Sequence, residues 1–210
     1  MKITLIKPGF GSIISGFNLN EGSMEPLQMA IIAGLVEESD EVKLYDDRLE
    51  KIPFDEKTDL VAITVESFSA RRAYEISSEY RKRSILVVLG GIHVSLLQEE
   101  AILHADAIVI GEAEFAWKQL LKDVKENKLQ KIYNGSFGLP QAGCFPRRDL
   151  FKGKKYLPVN LVQFSRGCKF NCTFCSVSSL YNHSHQCRNI DDVLYEIEKD
   201  KLKTIFFVDD

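Results

Sequence analysis

The sequence predicts an α/β protein whose first part is a doubly wound parallel sheet. Short apolar runs, such as residues 60–65 and 85–89, lack the alternation of polar and apolar residues that a half-exposed strand shows. Longer amphipathic stretches separate these runs, and the stretch from Trp117 to Val124 repeats apolar residues at helical spacing. Strands that alternate with helices in this way form a parallel sheet with helices on both faces.

The first 135 residues contain five predicted strands and the helices between them. The strands are expected at residues 3–6, 41–45, 60–65, 85–89 and 107–110. A first helix is expected to begin with Ser23 as its N-cap, and further helices are expected over residues 70–82, 97–103 and 117–124. Residues 136–159 are rich in glycine and proline and therefore predict a linker. Residues 160–210 predict one β-α-β unit, with strands near 160–164 and 204–208 and a helix that Asn189 opens.

Charge and composition exclude several classes of function. The 210 residues are 45% hydrophobic and 27% charged, and a net charge of −3 gives no positive field for nucleic acid. The longest apolar runs are too short to span a bilayer, and the N-terminus has no signal-peptide pattern. Five cysteines, odd in number and mostly clustered, do not form a secreted disulfide framework. We therefore expect a cytoplasmic protein with no nucleic-acid partner and no membrane span.

Glycines and short polar side chains follow the predicted strands. In a doubly wound sheet, a ligand binds outside the carboxyl ends of the strands. The candidates at these ends are Ser67, Ser69, Gly90, Gly91, Gly111 and Glu112. The Gly90-Gly91 pair lets a ligand approach the backbone closely, but it is equally suited to a simple strand-to-helix turn. No Gly-x-Gly-x-x-Gly follows the first strand, so the dinucleotide-binding fingerprint is absent.

Three cysteines with the spacing C-x3-C-x2-C follow the strand at residues 160–164. Cys168, Cys172 and Cys175 bring more thiols together than packing requires, and thiolates on one short loop suit a soft metal or an iron–sulfur cluster. Three ligands would leave one iron of a four-iron cluster open to a small molecule. Two alternatives remain, which are a set of unliganded cysteines and a structural zinc site. The zinc site would use Cys172, Cys175, His185 and Cys187.

The cysteine spacing, with Phe174 before the last cysteine, resembles the signature of radical S-adenosylmethionine enzymes. Further similarity to this superfamily lies in Arg166-Gly167, in Arg188 and in the strand that ends at Asp209-Asp210. More narrowly, residues 64–69, 90–95 and 106–114 resemble the subgroup that has an N-terminal cobalamin-binding domain. The resemblance covers essentially the whole chain, and the cysteine motif is its most specific part.

The resemblance implies a Rossmann-like cobalamin-binding domain over residues 1–135 and the start of a partial, TIM-type radical S-adenosylmethionine barrel over residues 160–210. It also implies that the three cysteines hold a [4Fe-4S] cluster. The open iron binds S-adenosyl-L-methionine, and one electron cleaves this cofactor to a 5′-deoxyadenosyl radical. Phe174, Asp209 and Asp210 are then candidate contacts of this site, and the residues at the sheet edge are candidate contacts of a corrinoid that carries a methyl group.

The partners that the resemblance implies are a small-molecule substrate and an electron donor such as flavodoxin or ferredoxin. One family feature is missing: the Asp-x-His-x-x-Gly motif, whose histidine ligates cobalt. Residues 9–20 contain neither Asp nor His. We therefore expect either a corrinoid without a histidine ligand from this loop or a domain that has lost the cofactor.

The chain is also shorter than the family fold, because a full β/α barrel needs about 250 residues. From this length we expect an N-terminal part of a longer enzyme that is inactive alone. The alternative function is a non-catalytic module that binds a corrinoid or another small ligand and carries a structural metal site. A misfolding-prone fragment with neither property is the third hypothesis.

Overall fold

A computed structural model describes residues 1–10, 23–139, 143–201 and 203–209. Within these residues, six parallel strands form one sheet in the order β2-β1-β3-β4-β5-β6. The strands are β1 (Lys2–Lys7), β2 (Glu41–Asp46), β3 (Leu60–Thr64), β4 (Leu86–Gly90), β5 (Ala107–Ile110) and β6 (Ile132–Asn134). The strand order changes direction between β1 and β3, so this is the topological switch point of a doubly wound sheet. The predicted α/β fold class is confirmed.

Helices cover both faces of this sheet. They are α1 (Leu27–Gly34) and α5 (Ala113–Lys125) on one face, and α2 (Ala70–Lys82), α3 (Ile92–Leu96) and α4 (Gln98–Ala101) on the other. Trp117 and Leu120 of α5 pack with Met29 of α1 in the first core, whereas Ile76 and Tyr80 of α2 belong to the second. Burial on both faces explains why the strands are continuous apolar runs in the sequence. Within the described ranges, no helix has the length and apolarity that crossing a membrane requires.

Several predicted elements differ from the structure. Ser23 does not cap α1, because the helix begins at Leu27 and its N-cap is Pro26. The helix after β4 begins at Ile92 rather than 97, since Gly91 turns the chain directly into it at a φ of 110°. Strand β6 was not predicted. It has three residues, of which only Tyr133 is buried, so its sequence shows no strand pattern.

Residues 160–209, here called the cysteine unit, contain the predicted β-α-β arrangement. Its elements are β7 (Asn160–Val162), β8 (Ser165–Arg166), α6 (Ser176–Leu180), β9 (Gln186–Cys187), α7 (Ile190–Lys199) and β10 (Ile205–Phe207). Strand β7 pairs with β10 in parallel, and α7 connects them. Asn189 caps α7 as predicted, because its side-chain oxygen accepts a 2.8 Å hydrogen bond from the Asp191 N–H. The antiparallel pair of β8 and β9 was not predicted.

The connecting residues 143–159 pack against the sheet domain, here residues 1–135. Phe151 is buried in the first core, and the Arg147 N–H donates to the Ala30 carbonyl at 2.9 Å. Arg148 is also buried. It donates to Glu25 before α1 and, at 2.7 Å, to Glu196 of α7. This segment therefore contacts both parts of the chain through specific bonds.

Candidate functional site

A cavity of about 110 Å³ lies between the sheet and helices α1 and α5. Its walls are mostly apolar and include Met29, Val88, Val109 and Trp117. Three of the predicted edge glycines, Gly90, Gly91 and Gly111, also line it. The cavity thus reaches the carboxyl ends of β3, β4 and β5, which is the edge where doubly wound sheets bind ligands.

Gly91 has two roles that the sequence left open. At its φ of 110°, a side chain would be strained, and a Cβ would lie 2.7 Å from the Val65 carbonyl oxygen. Glycine is therefore required for the turn from β4 into α3. The same residue lines the cavity, so the turn and the ligand edge coincide.

Trp117 lines the cavity and also carries a buried polar atom. The residue is 1% exposed, and its indole Nε1 has no hydrogen-bond partner among the described residues. A buried donor without a partner costs about 1–3 kcal/mol. The cavity lining is mostly apolar, so it fits a ligand or ligand arm that is largely apolar.

An exposed aromatic pair lies at the switch point between β1 and β3. Phe10 and Phe68 stack with ring centroids 5.2 Å apart, and Phe68 is 62% exposed. Ser67 is exposed beside them, with its hydroxyl 3.3 Å from His93 Nδ1. Ser69 is buried, and its hydroxyl bonds to the backbone of Glu66 in the turn before α2. Of the two predicted serines, only Ser67 is at the open edge.

The three cysteines of the motif lie on one loop between β8 and α6. This cysteine loop, residues 167–175, begins at Gly167, where φ is 81° and a Cβ would lie 2.3 Å from the Ser184 carbonyl oxygen. It ends in a turn in which the Cys175 N–H donates to the Cys172 carbonyl at 3.1 Å. Cys172 is exposed, and Cys168 and Cys175 are half-buried. The loop therefore keeps all three thiols near the surface.

The three cysteines supply the thiol donors that either a zinc ion or an iron–sulfur cluster would need. Among the described residues, no three His, Cys, Asp or Glu side chains are close enough to share one metal ion. Cys187 Sγ lies 3.9 Å from His185 Nδ1, but Cys172 and Cys175 do not complete a zinc site with them. Thiolates on one zinc lie about 3.8 Å apart. In a four-iron cluster each thiolate binds a different iron, so the ligands are spaced more widely.

Cys144 differs from the loop cysteines in its surroundings. It is buried against Leu27, Ile31 and Leu161. Burial raises the pKa of its thiol to about 11, so the neutral form predominates at physiological pH. Its environment is that of an inert packing residue.

The predicted contact residues near the loop have different positions. Phe174 is 90% exposed beside the last cysteine. Asp209 accepts hydrogen bonds from the Phe164 and Ser165 N–H groups at 2.7 and 2.9 Å. It therefore fixes the end of β7, from which the chain leads to the cysteine loop. Asp210 and residues 11–20 lie outside the described residues.

Arg166 connects the cysteine loop to the cavity. The sequence did not indicate this contact. The Arg166 side chain is 5% exposed, and it donates to Glu114 at 2.7 Å. It also pairs with Glu112 at 3.2 Å, and Tyr181 donates to the same Glu112 carboxylate. Burial alone would lower the pKa of the Arg166 guanidinium, but the attraction of Glu114 and Glu112 outweighs burial and raises it. All three charged residues line the cavity.

Fold and site together define a doubly wound α/β domain with a cavity at its sheet edge, joined to a three-cysteine loop. Residues 20–121 match the family model described as B12 binding domain. The chain is 33% identical over 193 residues to the bacteriochlorophyllide d C-8(2)-methyltransferase of Chlorobaculum tepidum, covering 87% of this chain and 42% of that protein. It is 31% identical over 179 residues to the C-12(1)-methyltransferase of the same organism, covering 82% of this chain and 39% of that protein.

A solved structure shows the same fold over nearly the whole chain. The radical S-adenosylmethionine methyltransferase TsrM from Kitasatospora setae, solved with tryptophan substrate and an S-adenosylmethionine analogue, superposes with a TM-score of 0.65 at 15% identity. The match covers 99% of this chain and 47% of that one, so the chain spans less than half the length of these relatives. The B12-binding match, the methyltransferase relatives and the shared fold bear out the resemblance to radical S-adenosylmethionine proteins with an N-terminal B12-binding domain that was drawn from the sequence.

Proposed function

We propose that this chain provides the corrinoid site and the cluster loop of a cobalamin-dependent radical S-adenosylmethionine methyltransferase. One observation carries the proposal, which is that the sheet-edge cavity and the three-cysteine loop adjoin each other through Arg166. The B12-binding match and the methyltransferase relatives support the same assignment. The substrate is a small molecule.

In this proposal, Cys168, Cys172 and Cys175 hold the cluster, and Gly167 fixes the start of their loop. When bound, the cluster would supply the one electron that cleaves S-adenosylmethionine to methionine and a 5′-deoxyadenosyl radical. Phe174 is next to the last ligand and exposed, so it is available to cover bound S-adenosylmethionine. Exposure of Cys172 leaves the loop accessible to an electron donor of the flavodoxin or ferredoxin type.

The corrinoid would occupy the carboxyl edge of the sheet. A cavity of about 110 Å³ admits a side arm of a corrinoid but not its macrocycle, so the ring would lie outside the strand ends. At the switch point, the exposed rings of Phe10 and Phe68 offer a flat apolar surface to the macrocycle. Such a surface fits a corrinoid that has no histidine ligand from the first loop.

Anaerobic reconstitution with iron and sulfide tests the cluster. We expect about four irons per chain and an electron paramagnetic resonance signal on reduction. C168A, C172A and C175A should each lose this signal. C187A and C144A are matched controls, because they remove a cysteine outside the motif and should retain it. One tightly bound zinc that is lost in C187A would overturn the cluster assignment in favour of the structural zinc site.

Titration of the whole chain with hydroxocobalamin tests the corrinoid site. Trp117 is the single tryptophan of the chain and lines the cavity, so quenching of its fluorescence reports binding at this position. W117F serves as the control for signal that does not come from this residue. Corrinoid binding by a chain that assembles no cluster would favour the non-catalytic binding module over the enzyme.

A further inference from the structure

We propose that corrinoid binding in the cavity and the conformation of the cysteine loop are energetically coupled through one shared wall. This wall is the segment Glu112 to Glu114, and Arg166 is the positioning residue that transmits the coupling. The inference rests on the proposed function, because it concerns the ligands of the two sites assigned above. It adds a regulatory relation between them, in which filling one site changes the affinity of the other.

The shared wall is held firmly on its sheet side. Glu112, Ala113 and Glu114 line the cavity at the start of α5. Behind them, Gly135 approaches so closely that a Cβ there would lie 2.1 Å from the Glu112 carbonyl oxygen. The Glu112 N–H also donates to the Ser136 carbonyl at 3.3 Å. A ligand that fills the cavity therefore meets a wall that has little room to move toward β6.

Both ends of the cysteine loop contact this wall. Arg166 stands immediately before Gly167, and it bonds to Glu114 at 2.7 Å and Glu112 at 3.2 Å. Tyr181, directly after α6, donates to Glu112 from the other end of the loop. The two residues that flank the cysteines are thus bonded to the same carboxylate.

The bonds of Arg166 allow little alternative geometry. Besides the carboxylates, its guanidinium donates to the Gln163 side chain at 2.7 Å and to the Gly138 carbonyl at 3.1 Å. A buried guanidinium that loses a partner is left with an uncompensated charge, so moving the wall away from Arg166 is strongly unfavourable. The planar guanidinium of Arg166 also fixes the orientation of its hydrogen bonds as well as their length. Displacement of the wall must therefore displace Arg166 and the turn at Gly167.

The coupling is reciprocal by thermodynamic necessity. A cluster that orders the cysteine loop holds Arg166 in place and thereby keeps the wall in its binding position. Corrinoid affinity should then be higher in the cluster-loaded chain than in the iron-free chain. We expect a ratio of about ten, within the range of about 5 to 150 that is typical of coupled sites.

A second buried arginine supplies the matched control. Arg148 also joins the sheet domain to the cysteine unit, through Glu25 and Glu196. It neither lines the cavity nor contacts the cysteine loop. Its removal weakens the general contact between the two parts of the chain and leaves the shared wall intact.

The experiment measures hydroxocobalamin affinity by Trp117 fluorescence in iron-free and cluster-loaded protein. R166M/E114Q removes the central ion pair without leaving one buried charge alone, and R148M/E25Q does the same at the control position. We expect the wild type and R148M/E25Q to bind about ten-fold more tightly when loaded. R166M/E114Q should show less than a two-fold difference. R166K, whose single ammonium cannot bond both carboxylates in a fixed direction, should retain a reduced ratio of about three.

The possible results of these titrations distinguish failure of the proposed coupling from failure of the proposed function. Equal affinities in loaded and iron-free wild type overturn the coupling, while the proposed function stands. No hydroxocobalamin binding in either form overturns both. Loss of the ratio in both double variants would also overturn the inference, because it would assign the effect to general contact between the units. If R166M/E114Q does not fold, as judged by circular dichroism, R166K decides, since an undiminished ratio there contradicts a role for the directed bonds.

Discussion

In the sheet domain Leu89, Ile108 and Leu120 are completely buried, whereas in the cysteine unit Phe206 and Phe207 are 50% and 54% exposed. The sheet domain buries apolar side chains on both faces of its sheet. The cysteine unit, in contrast, is attached through Arg148 and Arg166, which form ion pairs with carboxylates of the sheet domain. Apolar burial is therefore the main stabilising contribution in the sheet domain. The cysteine unit buries fewer apolar side chains, although Leu161 packs with Leu27 and Ile31 of α1, and directed polar contacts add to its attachment, so its conformation is more sensitive to what binds nearby.

The largest effect should come from removing a core side chain in the sheet domain. L89A should lower the free energy of unfolding by about 3 kcal/mol, because it leaves a cavity in a fully buried site. L194A, which truncates the same side chain at a 50% exposed position of α7, should change it by less than about 0.5 kcal/mol. Urea unfolding followed by far-ultraviolet circular dichroism measures both. Similar losses would show that the two regions share one core.

The rate of cysteine alkylation should also differ between a buried position, Cys144, and an exposed position in the cysteine unit, Cys172. With a thiol pKa raised to about 11, Cys144 is about 0.1% thiolate near pH 8 and should react with iodoacetamide at least about 100-fold more slowly than exposed Cys172. Because the thiolate fraction rises about ten-fold per pH unit below the pKa, the Cys144 rate should increase about 100-fold between about pH 8 and 10. Peptide mass spectrometry follows each site, with C144A as the blank. A rate at Cys144 that is independent of pH would contradict the buried-thiol environment.

A change at the start of the cysteine loop should affect the loop and not the sheet domain. G167A and G153A introduce the same side chain at the same φ of 81°, a strain of about 1–2 kcal/mol. Only at position 167 does the new Cβ also collide with a carbonyl oxygen, because position 153 faces open space. G167A should therefore lose at least about half of the iron retained after reconstitution, and G153A should match the wild type. Equal retention by the two variants would mean that the turn at Gly167 does not set the loop geometry.

The smallest effect should be local to the end of β7. D209A removes the acceptor of two backbone N–H groups, a loss of about 1 kcal/mol, and should speed amide exchange at Phe164 and Ser165 about five-fold. D209N keeps an acceptor oxygen at the same place and should leave exchange nearly unchanged. Hydrogen exchange read by nuclear magnetic resonance resolves the two amides. Acceleration spread over the sheet domain would contradict a purely local role.

The sequence predicted those helices and strands that are long enough to show a hydrophobic periodicity. Helix α2 and helix α5 carry amphipathic periodicity over 13 residues each, and both were expected at or near their positions. Strand β6 and the β8–β9 pair have two or three residues each, too few for any periodicity. Their formation depends on neighbouring strands and loops rather than on local propensity.

The candidate site was predictable where chemistry is local and not where it depends on tertiary contact. The cysteines form a motif within one loop, so the sequence alone indicated a soft-metal or iron–sulfur site there, and the family resemblance favoured a cluster, which stays a prediction. Arg166 lies 52 positions from Glu114, and only the folded chain shows that they pair. Asp209 is expected near the S-adenosylmethionine site, which stays a prediction, and the structure adds that its carboxylate accepts two backbone hydrogen bonds at the end of β7.

The contacts of the connecting segment restrict how domains of such proteins can recombine. Residues 143–159 place Phe151 in the sheet core and bond Arg148 to carboxylates on both sides, Glu25 and Glu196. A recombination event with a breakpoint inside this segment would separate Arg148 from one of its two acidic partners, Glu25 or Glu196. The two parental halves are therefore compatible only when the half without Arg148 supplies the matching acid. Chimeras that join a sheet domain to a foreign cysteine unit should therefore retain Glu25, Arg148 and Glu196 together.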